Sequence, residues 1–218
     1  MSGLVLAQSV DSGNAVQLFI LIAALTLVPA LLFCVTGFTR ILVVLGFIRT
    51  GLGTPTAPPN QVLVGIALFL TIFVMAPVFT DIKNNALEPL SQDEITQAQA
   101  LERAERPLRE FMFRQTRTKD LALFLNLAGI ENPKTRADVP TYVLIPAFII
   151  SELKTAFQIG FLIFLPFLVI DLVVSATLMS MGMVMLPPTF ISLLFKILLF
   201  VLVDGWDLIS RALVESFR

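Results

Sequence analysis

Histidine is absent from the 218 residues and cysteine occurs once, at Cys34. Without histidine there is no imidazole for general-base chemistry near neutral pH, no ligand of the commonest transition-metal type, and no Ser-His-Asp triad. A single thiol inside an apolar run can close neither an internal disulfide nor a cysteine-based zinc site. Charge is scarce as well: Asp, Glu, Lys and Arg make up 14% of the chain, against roughly a quarter in soluble domains. The net charge of -1 gives no overall attraction to nucleic acid. Gly51-Leu52-Gly53 lacks the later glycine and lysine of a phosphate-binding loop, with no strand-turn-helix context around it. These absences argue against a hydrolase, a metalloenzyme or an ATPase, and no cofactor is expected.

What is present in excess is hydrophobicity, 56% of residues with a mean hydropathy of +0.88, which marks an integral membrane protein of all-α class. Four segments follow. Residues 1–17 form an N-terminal piece in which Leu4 to Ala7 read as the tail of a signal peptide, with cleavage after Ala7. Residues 18–80 hold two apolar helices, Leu18 to Phe38 and Val62 to Phe79, around a shorter apolar stretch flanked by Arg40 and Arg49 and a connection rich in Gly and Pro from Gly51 to Gln61. Residues 81–138 carry 19 of the 31 charged side chains and read as a solvated helical insertion. Ser91 with Glu94 has capping-box spacing, and Glu102–Arg106, Glu105–Arg109 and Glu110–Arg114 stand four apart. The acids between its arginines cancel the field that nucleic acid would need, leaving a salt-bridged helical hairpin as the better reading. Residues 139–218 return to apolar character and read as a hydrophobic helical hairpin. Arginine in short loops would place Arg40, Arg49 and the proline-rich connection in the cytoplasm and the insertion outside.

Glu152, Lys154, Asp171 and Lys196 interrupt that last segment singly. Each would cost about 2.5–3.5 kcal/mol facing lipid at a helix centre, so all four should face protein or water. Glu152 and Lys154 are two apart, too divergent on a helix to pair with each other, so their partners are expected to be Lys196 or Asp171 of the same or a neighbouring copy. Such charges admit a proton or ion relay through Asp171, Glu152 and Lys154, or a set of buried salt bridges.

Met179, Met181, Met183 and Met185 lie just before Pro187-Pro188. Their spacing of two scatters them round a helix but aligns them in an extended loop. Flexible, polarizable thioethers suit a surface that seals around changing shapes, although methionine also serves as plain filler at a hairpin tip.

Several motifs run in order along the chain: Phe38-Thr39-Arg40-Ile41, Gly53-Thr54-Pro55 with Pro58-Pro59-Asn60-Gln61, Pro107-Leu108-Arg109-Glu110-Phe111-Met112, Glu152-Leu153-Lys154 through Phe161, Met181-Gly182-Met183 through Pro187-Pro188, and Asp204-Gly205-Trp206. In this the chain closely resembles the FliP family of flagellar type III secretion export-gate proteins. The resemblance implies a non-enzymatic subunit of a helical ring, pentameric in that family, built with FliQ-like and FliR-like partners and the larger export-gate subunits and basal-body ring. Unfolded flagellar proteins would be its substrates, at the bacterial inner membrane with much of the assembled protein on the periplasmic side. It also implies that Met181, Met183 and Met185 line the constriction as a gasket, and that Glu152 and Lys196 contact neighbouring subunits. Val184 interrupts a run the family often fills with methionine, and Leu194 stands where a proline is common. A proton or ion channel and a non-conducting membrane scaffold are the alternatives.

Overall fold

The computed structural model describes residues 33–131, 133–183 and 185–218, with positions 18, 19, 22 and 26. The signal-peptide reading on residues 1–17, most of the first apolar helix and Val184 lie outside the described residues. Among the described residues the secondary structure is helical throughout, with no strand.

Phe38, Ile41, Val44, Leu45, Ile48 and Leu52 recur at helical spacing on one buried stripe of α1, Phe38–Leu52. The chain then turns through the proline-rich connection into α2, Asn60–Ile82, which continues through a wider turn at Lys83–Leu87 and a last turn at Glu88–Ser91. The result is a rod of 32 residues, longer than the 18-residue span expected from composition. Pro77 sits inside it. The insertion supplies α3, Gln97–Gln115, and α4, Thr118–Leu127. Its N-terminal cap differs from the expected one: Thr96 and Gln99 form the reciprocal capping box, because the left-handed turn at Asp93 has already ended the preceding helix and Ser91 bonds back to the Glu88 carbonyl. Of the expected Glu–Arg pairs only Glu105–Arg109 closes among the described residues, at 3.7 Å.

The apolar runs after residue 139 merge into a single helix, α5, Thr141–Ser180, followed by α6, Pro188–Leu202, and α7, Gly205–Glu215. α6 passes unbroken through Leu194. It meets α7 at a 65° bend, where Asp204 adopts a left-handed conformation and Trp206 packs edge-on against Phe200. α2 and α5 are long and apolar enough to cross a membrane, and the bent α6–α7 pair gives a third candidate.

α5 organises the rest. One of its stripes, Phe148, Glu152, Ala156, Gly160 and Phe167, is buried, and it joins two apolar cores. The first gathers α1 with Leu63, Ala67, Ala156, Phe167, Phe200 and Leu213. The second gathers Met75, Val78, Phe111, Met112, Leu125 and Phe148. The insertion is therefore not a hairpin closed on itself: α3 and α4 both lay their apolar stripes on the first half of α5.

Gly160 is a point of close approach between α5 and α1, since a Cβ there would stand 2.4 Å from the Phe47 ring, whereas one at Gly46 would meet nothing within 4 Å. Gly160→Ala is expected to destabilise the detergent-solubilised protein by about 1–3 kcal/mol through overpacking. Gly46→Ala, in the interior of α1, should stabilise it by about 0.5–1 kcal/mol. Thermal unfolding of the two variants checks the pair, and equal shifts would contradict this account of the packing.

Candidate functional site

Two places concentrate chemistry, a polar seam at the middle of the fold and the tip between α5 and α6. The seam is built around Arg40, which α1 carries into the interior beside Glu152. Arg40 Nε donates to Glu152 Oε2 at 3.0 Å and Nη2 donates to Oε1, a two-pronged pair. Nη2 also donates to Gln115 Oε1 at 2.9 Å, and Nη1 donates to the Ser216 carbonyl at 2.8 Å and its hydroxyl at 3.1 Å. All five guanidinium N–H groups are thereby used. The Phe217 ring lies 3.9 Å from the guanidinium carbon, and its carbonyl accepts from Gln115 Nε2 at 3.0 Å. Arg40 thus links α1, α3, α5 and the residues after α7.

Beside Glu152 on α5, Ser151 and Lys154 hold the start of α4. The Lys154 ammonium pairs with Asp120, the Ser151 hydroxyl donates to Asp120 Oδ2 at 2.9 Å, and the Arg117 N–H donates back to Ser151 Oγ at 3.0 Å. Arg117 also reaches Thr155 at 3.0 Å and Gln158. Asp120 lies in the first turn of α4, where the helix dipole favours a negative charge. Its carboxyl is held below the ordinary value of 3.8, chiefly by the hydrogen bond from Lys154, with the Ser151 bond and the charges of Lys154 and Arg117 adding to this and burial opposing it. Arg109 anchors the entry to α5 by donating to Thr141 and to the carbonyls of Arg136 and Val139, at 3.0 and 2.6 Å for the carbonyls.

The partners of Glu152 and Lys154 therefore differ from those expected. They are Arg40 and Asp120, while Asp171 and Lys196 pair with each other at 2.6 Å. The reason is length: Glu152 and Asp171 lie on one continuous helix, 19 positions or about 29 Å apart at 1.5 Å per residue. Glu152 and Lys196 each find a charge partner within the chain. Arg40 does not serve as a flanking charge at a membrane face, and Arg49 donates to the Asn60 side chain at the start of α2. Gln115, Arg117, Asp120 and Ser216 were not singled out by their spacing, since each acquires its role through contacts 31 to 176 residues away in sequence.

The methionine tip also departs from expectation. It is a helix-terminating turn and not an extended strand: the N–H of Gly182 bonds the Met179 carbonyl at 3.0 Å and that of Met183 bonds Leu178 at 3.0 Å, with Gly182 at φ 74°. This double closure is the usual end for a helix whose next residue is a left-handed glycine. Met179 belongs to the last turn of α5. The side chains of Met181, Met183 and Met185 are 68%, 44% and 97% exposed. Behind them the outer faces of α5 and α6 stay bare at Phe161, Leu165, Leu172, Phe190, Leu194 and Val201.

The model of the FliP family matches residues 21–213, which takes in every motif described above. The chain belongs to the FliP family. It is similar to the flagellar biosynthetic protein FliP of Bacillus subtilis, 56% identical over 204 residues that cover 94% of this chain and 92% of that one. It is 57% identical to the Pectobacterium carotovorum protein of the same name, over 93% of this chain and 79% of that one. The Aquifex aeolicus FliP is 46% identical over 96% and 90%. Membership makes this chain a membrane-associated component of a flagellar export family.

Two predictions follow from the seam. Glu152→Ala, which strands a buried guanidinium, should cost about 3–5 kcal/mol, and Arg40→Met with Glu152→Leu together should recover most of it. Arg40→Lys should not rescue, since an ammonium offers three donors where five bonds are made. Denaturant unfolding of the purified protein measures all of these, and a double variant no better than the singles would contradict the pairing. Because the Asp120 carboxyl is lowered below 3.8, its stabilising contribution is complete above that value and is lost as pH falls through the lowered one. The stability gap between wild type and Asp120→Asn should accordingly stay flat from about pH 5 upward and close only in acid; a gap that closes near neutrality would rule this out.

Proposed function

We propose that this FliP-family chain is a subunit of the flagellar type III export gate, forming with further copies of itself and with FliQ-like and FliR-like partners a ring through which unfolded flagellar proteins leave the cell. The observation that carries the reading is the pairing of a satisfied interior with a bare apolar end. The buried charges are closed within the chain, so what remains for partners to cover is the outer surface of α5 and α6 and the methionine tip. Exposed apolar faces on that scale require lipid or other helices. Arranged round an axis, copies of the tip would ring a constriction with thioethers from Met181, Met183 and Met185, whose three rotatable bonds let them close on one another and part around a passing chain.

The ring would sit at the bacterial inner membrane, with the insertion and much of the assembled chain on the periplasmic side. At about 60 Å, α5 is twice the thickness of a hydrocarbon core, which fits a subunit that stands partly outside the bilayer. The ion pairs at Glu152, Lys154 and Asp171 each have a structural partner, which favours export over a proton relay along them.

Replacing Met181, Met183 and Met185 together with alanine is expected to leave assembly intact and to raise leakage of small solutes through the assembled complex in vesicles by at least about tenfold, as apolar bulk is lost from the constriction. Normal assembly with an unchanged leak and normal export would remove the seal assignment.

A further inference from the structure

The last helix, α7, is held at its two ends. At the near end a single residue, Asp204, joins it to α6 in a left-handed conformation with φ 50°, and the two helices meet there at 65°. A residue with a side chain adopts that conformation at a cost, and a short element-terminal stretch of this kind is where a chain pivots. At the far end the Phe217 ring sits in a notch. It lies against Gly37, where a Cβ would stand 2.5 Å from the ring, stacks on Phe111 with centroids 6.2 Å apart and covers the Arg40 guanidinium. The Phe217 carbonyl accepts from Gln115, and the Ser216 carbonyl and hydroxyl accept from Arg40. Between the two ends Ile209 and Leu213 enter the first core. Toward α5, however, an apolar groove of about 610 Å³ remains, lined by Ile163, Pro166 and Phe167 of α5 and by Ile209 and Ala212 of α7.

No single element makes the notch. Gly37 caps the start of α1 and Arg40 stands one turn into it, Phe111 and Gln115 belong to α3, and Arg40 is itself held by Glu152 of α5. Phe217 therefore has a seat only when α1, the insertion and α5 are together. We propose that α7 is a hinged strap and Phe217 its latch: the strap swings about Asp204 until those three elements have met, then docks and fixes the bend at the end of α6. The latch acts within one chain, before partners cover it, and rests on contacts inside that chain. Its consequence for assembly rests on the ring reading above: the α6–α7 surface that neighbouring subunits would meet is completed only in a chain whose insertion is seated. Folding of the insertion onto α5 is in this way reported to the far side of the molecule through Gln115, Arg40 and Phe217.

Gly37 has φ -71°, open to any residue, so Gly37→Ala acts on the Phe217 seat and not on the backbone. The test is native-state hydrogen exchange on the purified full chain in detergent, read by peptide. In wild type the amides of α7 should open at lower denaturant concentration than those of α1 and the first half of α5. In Gly37→Ala and in Phe217→Ala the α7 amides should exchange at least about tenfold faster than in wild type, while α3, α4 and the first half of α5 keep their protection. Unchanged exchange of α7 in both variants, or equal acceleration along the whole chain, would overturn the latch. Co-expression with FliQ-like and FliR-like partners then separates the two readings. Gly37→Ala should largely be lost from the complexes that wild type enters. If α7 loosens and the variant assembles as well as wild type, the consequence for assembly fails and the latch stands; if wild type itself enters no complex, it is the ring reading that fails.

Discussion

The fold depends on one buried ion pair, Arg40 with Glu152. Burying a guanidinium and a carboxylate costs several kcal/mol per ion in lost hydration, and the cost is offset only when every polar atom finds a partner. Here that condition fixes four segments at once, because the five donors of Arg40 reach α5, α3 and the residues after α7 from a position on α1. The pair also sets register. Phe148, Glu152 and Ala156 follow one another on the same stripe of α5, belonging in turn to the insertion core, the pair and the α1 core. Sliding α1 by one turn would bring Arg40 against Phe148 or Ala156 and strand both charges. Two apolar cores that hydrophobicity alone would let slide are thereby held at a single alignment, and Phe217, which packs against both and covers the guanidinium, closes the seam.

The same economy explains how charge is distributed along α5. Its first half carries Glu152 and Lys154 and is clothed by α1, α3 and α4; α1 brings Arg40 and α4 brings Asp120 to meet them, while Gln115 of α3 accepts from Arg40. Its second half carries Asp171, met by Lys196 of α6, and no other charge. A charge thus appears on this helix only where another element of the chain can answer it. The lipid-like surface is left unbroken, and the insertion, which looks in composition like a separate solvated unit, is the source of partners that make the first half of the long helix tenable.

Much of this was legible in the residues. Acids standing four residues ahead of arginines pointed to helix in the insertion, and composition separated it from the apolar segments on either side. Each of the four charges that interrupt the last apolar segment has a partner within the chain, but which partner was not readable, because pairing is decided by which helices lie side by side and Arg40 looks in sequence like an ordinary flanking arginine. Continuity of α5 was obscured by single charges that seemed to divide it, although Pro146 and Pro166 lie within the helix without ending it. Two misreadings had signals that were available. Thr96 and Gln99 have the same cap spacing as Ser91 and Glu94, and Gly182 directly after an apolar helix is a stop signal that argues against an extended run.

That stop signal changes what the methionines can do. In an extended strand, thioethers two apart would line one flat edge. In a glycine-closed helix end the backbone up to Met183 is pinned by two hydrogen bonds while the Met181 and Met183 side chains stay exposed. For a constriction built from several copies, this combination is the more useful one. In the proposed constriction such a turn would hold Met181 and Met183 at a fixed depth, and the freedom needed to admit a passing chain would reside in methionine rotamers whose interconversion is fast and local. Opening of the proposed ring would then require only side-chain displacement at the tip, with the buried seam that fixes α1 against α5 staying closed.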